Sequence, residues 1–171
     1  MHVAAILKLK GRTVVTTTAD RSMLDVAKLL AQHSIGCIVI EGDDGKVAGI
    51  VSERDLMRAI GQSGAKVLKE PVSVYMTKRV VTARQADTIE RLMSEMTVHR
   101  FRHMPVVERG QLIGLVSIGD VVKMRVADVE QSVLSSGYRS NSANFRGIVN
   151  QTLIKDKRFT SAGRGLYQMK K

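Results

Sequence analysis

The apolar and polar positions of this chain fall into two similar stretches. A shift of 66 positions lays Val14, Val15 and Thr16 on Val80, Val81 and Thr82, two short runs of strand character. The same shift lays Met23, Val26, Ala27 and Leu30 on Ile89, Leu92, Met93 and Met96. Both sets keep the i, i+3, i+4, i+7 spacing of an amphipathic helix. Ser22 and Thr88 stand one position before each stripe, where a side chain can cap free N–H groups.

Two more apolar runs follow in each stretch. "IGCIVI" (35–40) matches "FRHMPVV" (101–107), and "KVAGIV" (46–51) matches "QLIGLV" (111–116). The connectors "EGDDG" and "ERG" are polar and end in glycine, which suits a hairpin. Each second run leads into one pattern: glycine, two apolar residues, serine, two variable residues, aspartate. It reads "GIVSERD" at 49–55 and "GLVSIGD" at 114–120. The helical stretches "DLMRAI" and "DVVKMRV" come next. Each unit therefore predicts strand, helix, strand, strand, helix.

The predicted fold is α/β (α+β): two βαββα units at 13–68 and 75–130, related by a pseudo-twofold axis. Residues 1–12 form a lead-in, with 3–10 as a short helix packing on the pair. "GQSGAKVLKEPVS" (61–73) reads as an irregular connection, and 131–171 as a basic, flexible tail.

The chain has 171 residues and is 44% hydrophobic, enough for a globular core. No apolar run approaches the roughly 20 residues of a membrane span. The start is too short and basic for a signal peptide. With Cys37 as the only cysteine, a reducing cytoplasm is the expected location. The net charge of +11 is uneven: residues 131–171 carry +7 and residues 1–130 only +4. The tail also holds Tyr138, Phe145, Phe159 and Tyr167 among its basic residues. Basic and aromatic side chains interleaved in this way can bind single-stranded nucleic acid, so nucleic-acid binding is the alternative function to set against a solvated tail.

The repeated heptad allows two readings. In the first it is structural: Gly49 and Gly114 let a strand end turn tightly, while Ser52 with Asp55, and Ser117 with Asp120, form capping boxes. In the second the helix start receives a ligand. Its N–H groups and the serine hydroxyl suit a phosphate, and the aspartate suits the two hydroxyls of a ribose.

The two heptads, with "RFRHMPVV" and the preceding "SVYMTKRVVT", make residues 3–130 resemble a tandem pair of CBS domains, as in stand-alone bacterial CBS-pair proteins. The resemblance implies a regulatory module that senses AMP, ADP, ATP, NAD(H) or S-adenosylmethionine, forms a homodimer and acts on a regulated partner protein. It assigns the heptad Ser and Asp to phosphate and ribose. It frames the adenine slot of unit two with Thr82 and the run Arg102, His103, Met104, Pro105, and that of unit one with Thr16 and the run Ile35, Gly36, Cys37, Ile38. Arg54, Arg102 and His103 become candidates for phosphate contacts, the histidine when protonated. Because unit one has Gly36 and Cys37 where unit two has Arg102 and His103, unit two is expected to be the tighter site.

The other reactive residues point elsewhere. His33 and His99 have no further ligand at metal spacing, and Cys37 lies in a predicted buried strand. No nucleophile, base and oxyanion set is evident. The expectation is a binder without catalytic or metal-ligating residues and without membrane contact.

Overall fold

In the computed structural model, residues 1–135, 159–163 and 166–169 are described. Unit one holds β1 (Thr16–Thr18), α2 (Met23–His33), β2 (Cys37–Glu41), β3 (Val47–Ser52) and α3 (Glu53–Ser63), preceded by α1 (Val3–Lys10). β1 runs parallel to β2, and β2 antiparallel to β3. Unit two holds α4 (Ile89–Val98), β4 (His103–Glu108), β5 (Gln111–Ser117) and α5 (Ile118–Ser135). Its first strand is reduced to one parallel bridge, Ala83 to Val106. That bridge still makes two bonds: Ala83 N–H donates to Pro105 O at 2.9 Å, and Val107 N–H donates to Ala83 O at 2.8 Å.

Local chemistry repeats with the pattern. The Ser22 hydroxyl accepts from Asp25 N at 3.1 Å, and the Thr88 hydroxyl accepts from Arg91 N at 3.2 Å. Both hairpins carry a register shift at matching places, Ile40/Glu41 and Val106/Val107. In the second hairpin Arg109 and Gly110 both have positive φ, 50° and 83°, the signature of a tight two-residue turn.

The two cores are closed by segments from outside each unit. Val72, in the connection, joins Met23, Val26, Ile38 and Val51 of unit one. Val3, Ile6 and Leu7 of α1 join Leu92, Met93, Met104 and Val116 of unit two. The connection itself is partly ordered as short 3₁₀ helices, Ala65–Lys69 and Val72–Val74, because Val67 and Val72 are buried.

The heptad glycines differ from their sequence reading. Both lie within strands rather than at turns. A Cβ on Gly49 would stand 2.5 Å from Met76 Sδ, and one on Gly114 would stand 2.6 Å from Leu7 Cδ2. Each glycine admits the segment that closes its unit, so close approach is what requires it.

α5 continues into the predicted tail as far as Ser135. Phe159–Gly163 and Leu166–Met169 form an antiparallel hairpin, β6 and β7. The rest of the tail, Tyr138 and Phe145 included, lies outside the described residues.

Candidate ligand-binding site

The site grows from the junction of β3 and α3. Ser52 N and Oγ both donate to Asp55 Oδ2, at 2.9 and 2.6 Å, while Asp55 N donates to Ser52 Oγ at 3.4 Å. Motif two repeats this: Ser117 N and Oγ donate to Asp120 Oδ2 at 2.8 Å each, and Asp120 N donates to Ser117 Oγ at 3.2 Å. The capping reading therefore describes both motifs. It leaves Asp55 Oδ1 with only Arg58 Nη1, 3.5 Å away.

The units also meet symmetrically within themselves. Glu53 N–H donates to Gly36 O at 3.1 Å, and Ile118 N–H donates to Arg102 O at 2.8 Å. Each helix start is thus tied to the residue entering the neighbouring strand.

Between the units lies a cavity of about 480 Å³. Unit one contributes Gly36, Cys37, Ser52, Arg54 and Asp55; unit two contributes Arg102 and His103. Ile50, Val80 and Val81 add apolar wall, and Arg79, Arg100 and Phe101 complete the mouth. The His99 and Phe101 rings stack with centroids 6.2 Å apart. A second cavity of about 240 Å³ shares Arg54, Arg100, Phe101 and Arg102 with the first.

Seven of the residues expected from sequence thus share one cavity. The others do not line it. Thr16 donates to Glu41 Oε2 at 3.0 Å, and Ile35 packs on the unit-one core. Met104 is fully buried and Pro105 is also buried. Thr82 only precedes the Ala83 bridge. Asp120 meets α1, where Lys10 Nζ sits 2.6 Å from its Oδ2, and Ser117 is engaged with Asp120 and paired with His103.

The expected grouping of Arg102 and His103 with Ser117 and Asp120 is therefore not the one this cavity makes. The start of β4 lies against the entry to β2 and the start of α3: a Cβ on Gly36 would stand 3.4 Å from His103 Cε1 and 3.8 Å from Glu53 Oε2. The residues that sequence reasoning missed are Arg58, Thr77, Arg79, Arg100 and Phe101. Their signal was positional: Arg79 and Arg100 fall, 66 places on, where unit one has Thr13 and Ser34.

Electrostatics separates the motifs further. Burial, then Lys10, holds the His103 imidazole below its ordinary value against the pull of Asp120 and Glu53. This shift favours the neutral ring, so positive charge for a phosphate comes first from the arginines. Burial raises the Asp120 carboxyl, but Lys10 and Ser117 together hold it below the usual range. Burial pushes the Cys37 thiol up to about 12, which makes it inert. Among the described residues no helix is long and apolar enough to cross a membrane.

What the fold and cavity define is a tandem pair of α/β modules with a polar crevice between them. The CBS domain family model matches residues 9–62 and 72–127, and the chain belongs to that family. A CBS-domain containing protein from Agrobacterium tumefaciens is 48% identical, with a TM-score of 0.71 over 73% of this chain and 99% of that one. A CBS domain protein from Pyrobaculum aerophilum, solved with AMP, is 28% identical, with a TM-score of 0.63 over 70% of this chain and 89% of that one. A CBS domain pair solved with 5′-methylthioadenosine and S-adenosyl-L-methionine is 25% identical, with a TM-score of 0.65 over 73% of this chain and 99% of that one. The chain spans about three fifths of the length of the first curated relatives it matches, which are 33% and 30% identical.

Proposed function

We propose that this protein is a regulatory module that binds an adenosine ligand in the crevice between its units. The observation that carries the reading is the convergence of Asp55 from one unit with Arg102 from the other on one cavity walled by Ile50, Val80 and Val81. Asp55 Oδ1 faces a sugar's hydroxyls, the Arg54 and Arg102 guanidiniums supply forks for phosphate oxygens, and the apolar wall receives the base. The AMP complex of the Pyrobaculum relative supports this choice of ligand class.

The reading is of a binder rather than an enzyme. Ser52 Oγ donates to Asp55 Oδ2 within the capping box, and no imidazole bonds to that hydroxyl among the described residues, so the arrangement is not a Ser–His–Asp triad. Binding acts by differential affinity for two arrangements of the pair, in a homodimer or on a regulated partner.

A thermal-shift panel of AMP, ADP, ATP, NAD(H) and S-adenosylmethionine tests the reading, because a ligand that binds only the folded chain raises Tm. At least one of these compounds is expected to raise Tm at millimolar concentration. No shift with any of them, and no heat on calorimetric titration, would overturn it.

A further inference from the structure

The crevice holds more positive charge than one phosphate can use. Arg54, Arg58, Arg79, Arg100 and Arg102 line it, against the carboxylates of Glu53 and Asp55. Among the described residues Arg54, Arg79, Arg100 and Arg102 have no carboxylate within 4.0 Å, and Arg58 reaches only Asp55 at 3.5 Å. The Arg54 side chain reaches across to unit two, where its Nη1 donates to the Arg100 carbonyl at 3.5 Å. Three of them, Arg54, Arg100 and Arg102, border both the larger and the smaller cavity.

Arg100 adds a second, independent observation. Its φ is +58°, the left-handed region that glycine or asparagine adopts more readily. It follows the last turn of α4, where a glycine would relieve the backbone. The matching residue of unit one, Ser34, has φ +51° and no charge. An arginine in this conformation, beside other arginines that face no carboxylate among the described residues, costs the folded chain stability through strain and like-charge repulsion. An anion bound between the units offsets that repulsion.

A single terminal phosphate carries about −2 at most, less than the net three positive charges left when Glu53 and Asp55 are set against the five arginines. Resting on the adenosine reading above, we propose that the ligand of this crevice carries two or more phosphates, and that Arg79 and Arg100 are what select it. S-adenosylmethionine, with a sulfonium and an ammonium against one carboxylate, is repelled by the same charge.

Calorimetric titration of the full chain with AMP, ADP, ATP, S-adenosylmethionine and inorganic tripolyphosphate, at fixed salt and without divalent cation, tests this. ADP or ATP is expected to bind at least about tenfold tighter than AMP, the gain from roughly one added charge-assisted hydrogen bond. Arg79→Gln and Arg100→Gly are expected to shrink that ratio to about threefold or less, with AMP affinity changed much less. Arg100→Gly is also expected to melt no lower than the parent chain, which separates loss of binding from loss of fold. AMP binding as tightly as ATP, or S-adenosylmethionine binding tightest, would overturn the proposal and leave the adenosine reading standing. Tripolyphosphate matching ATP would keep the charge argument and overturn the nucleoside beneath it.

Discussion

The two heptads, 49–55 and 114–120, make the same capping box yet have different surroundings. Asp55 opens on a cavity walled by the opposite unit. Asp120 is covered by α1, with Lys10 Nζ 2.6 Å from its carboxylate. The residue equivalent to Lys10 by the 66-place shift is Met76, a neutral side chain packed over Gly49. A duplicated motif therefore does not have duplicated surroundings. What decides is which segment closes each unit, and the chain start and the connection differ in charge.

The largest effect that sharpens this contrast is on stability. Leu7 is 2% exposed in the unit-two core and lies over Gly114. Leu7→Ala should cost about 2–5 kcal/mol in denaturant unfolding, as large-to-small core changes do. A loss under about 0.5 kcal/mol would show that α1 does not close unit two.

Lys10→Ala should do little to stability, within about 1 kcal/mol, because the ion pair is partly exposed. It should instead free Asp120. Calorimetric stoichiometry is expected to rise from one nucleotide per chain toward two, with the added site weaker for lack of the Arg79 and Arg100 equivalents. Unchanged stoichiometry would place the closure of unit two in the packing of α1 as a whole.

The smallest expected effect comes from His103. In the unfolded chain an imidazole takes its proton near pH 6.5; in the folded chain it does so at lower pH. Between those values the unfolded state binds more protons, so stability falls as pH drops below about 6.5. The fall ends once His103 is protonated in both states. His103→Gln should flatten this window in chemical denaturation, and a slope equal to that of the parent chain would contradict it. An anionic ligand raises the His103 pKa again, so proton uptake on binding near pH 6 is the companion observation.

Much of this was legible in the sequence because it depends on local spacing. The stripe from Met23 to Leu30 and its partner from Ile89 to Met96 define helices by period alone, and Ser22, Thr88, Ser52 and Ser117 mark helix starts by type and position. The assembly was not legible. Nothing in the spacing says that the start of β4 in one unit also meets the start of α3 in the other, so sequence reasoning groups Arg102 and His103 with Asp120 alone, whereas in the structure they line a cavity with Asp55 as well. Nor does a sequence reveal that Gly49 and Gly114 serve close packing rather than a turn, or that Arg100 sits in a left-handed conformation. These depend on contacts between residues distant along the chain, Leu7 with Gly114 and Met76 with Gly49.

The central claim is that the nucleotide is held by the motif of unit one with the arginines of unit two. Calorimetric titration of Asp55→Ala and Asp120→Ala with the tightest-binding adenine nucleotide tests it most directly. Both variants lose a capping box; Asp120→Ala also loses the Lys10 ion pair, and Asp55→Ala the longer Arg58 contact, so each affinity is read at a temperature where denaturant unfolding shows the variant folded. Asp55→Ala should weaken binding by about 1.5–3 kcal/mol, the range for a hydrogen bond to a charged group, while Asp120→Ala should stay within about threefold of the parent chain. Equal losses, or a larger loss from Asp120→Ala, would contradict the account.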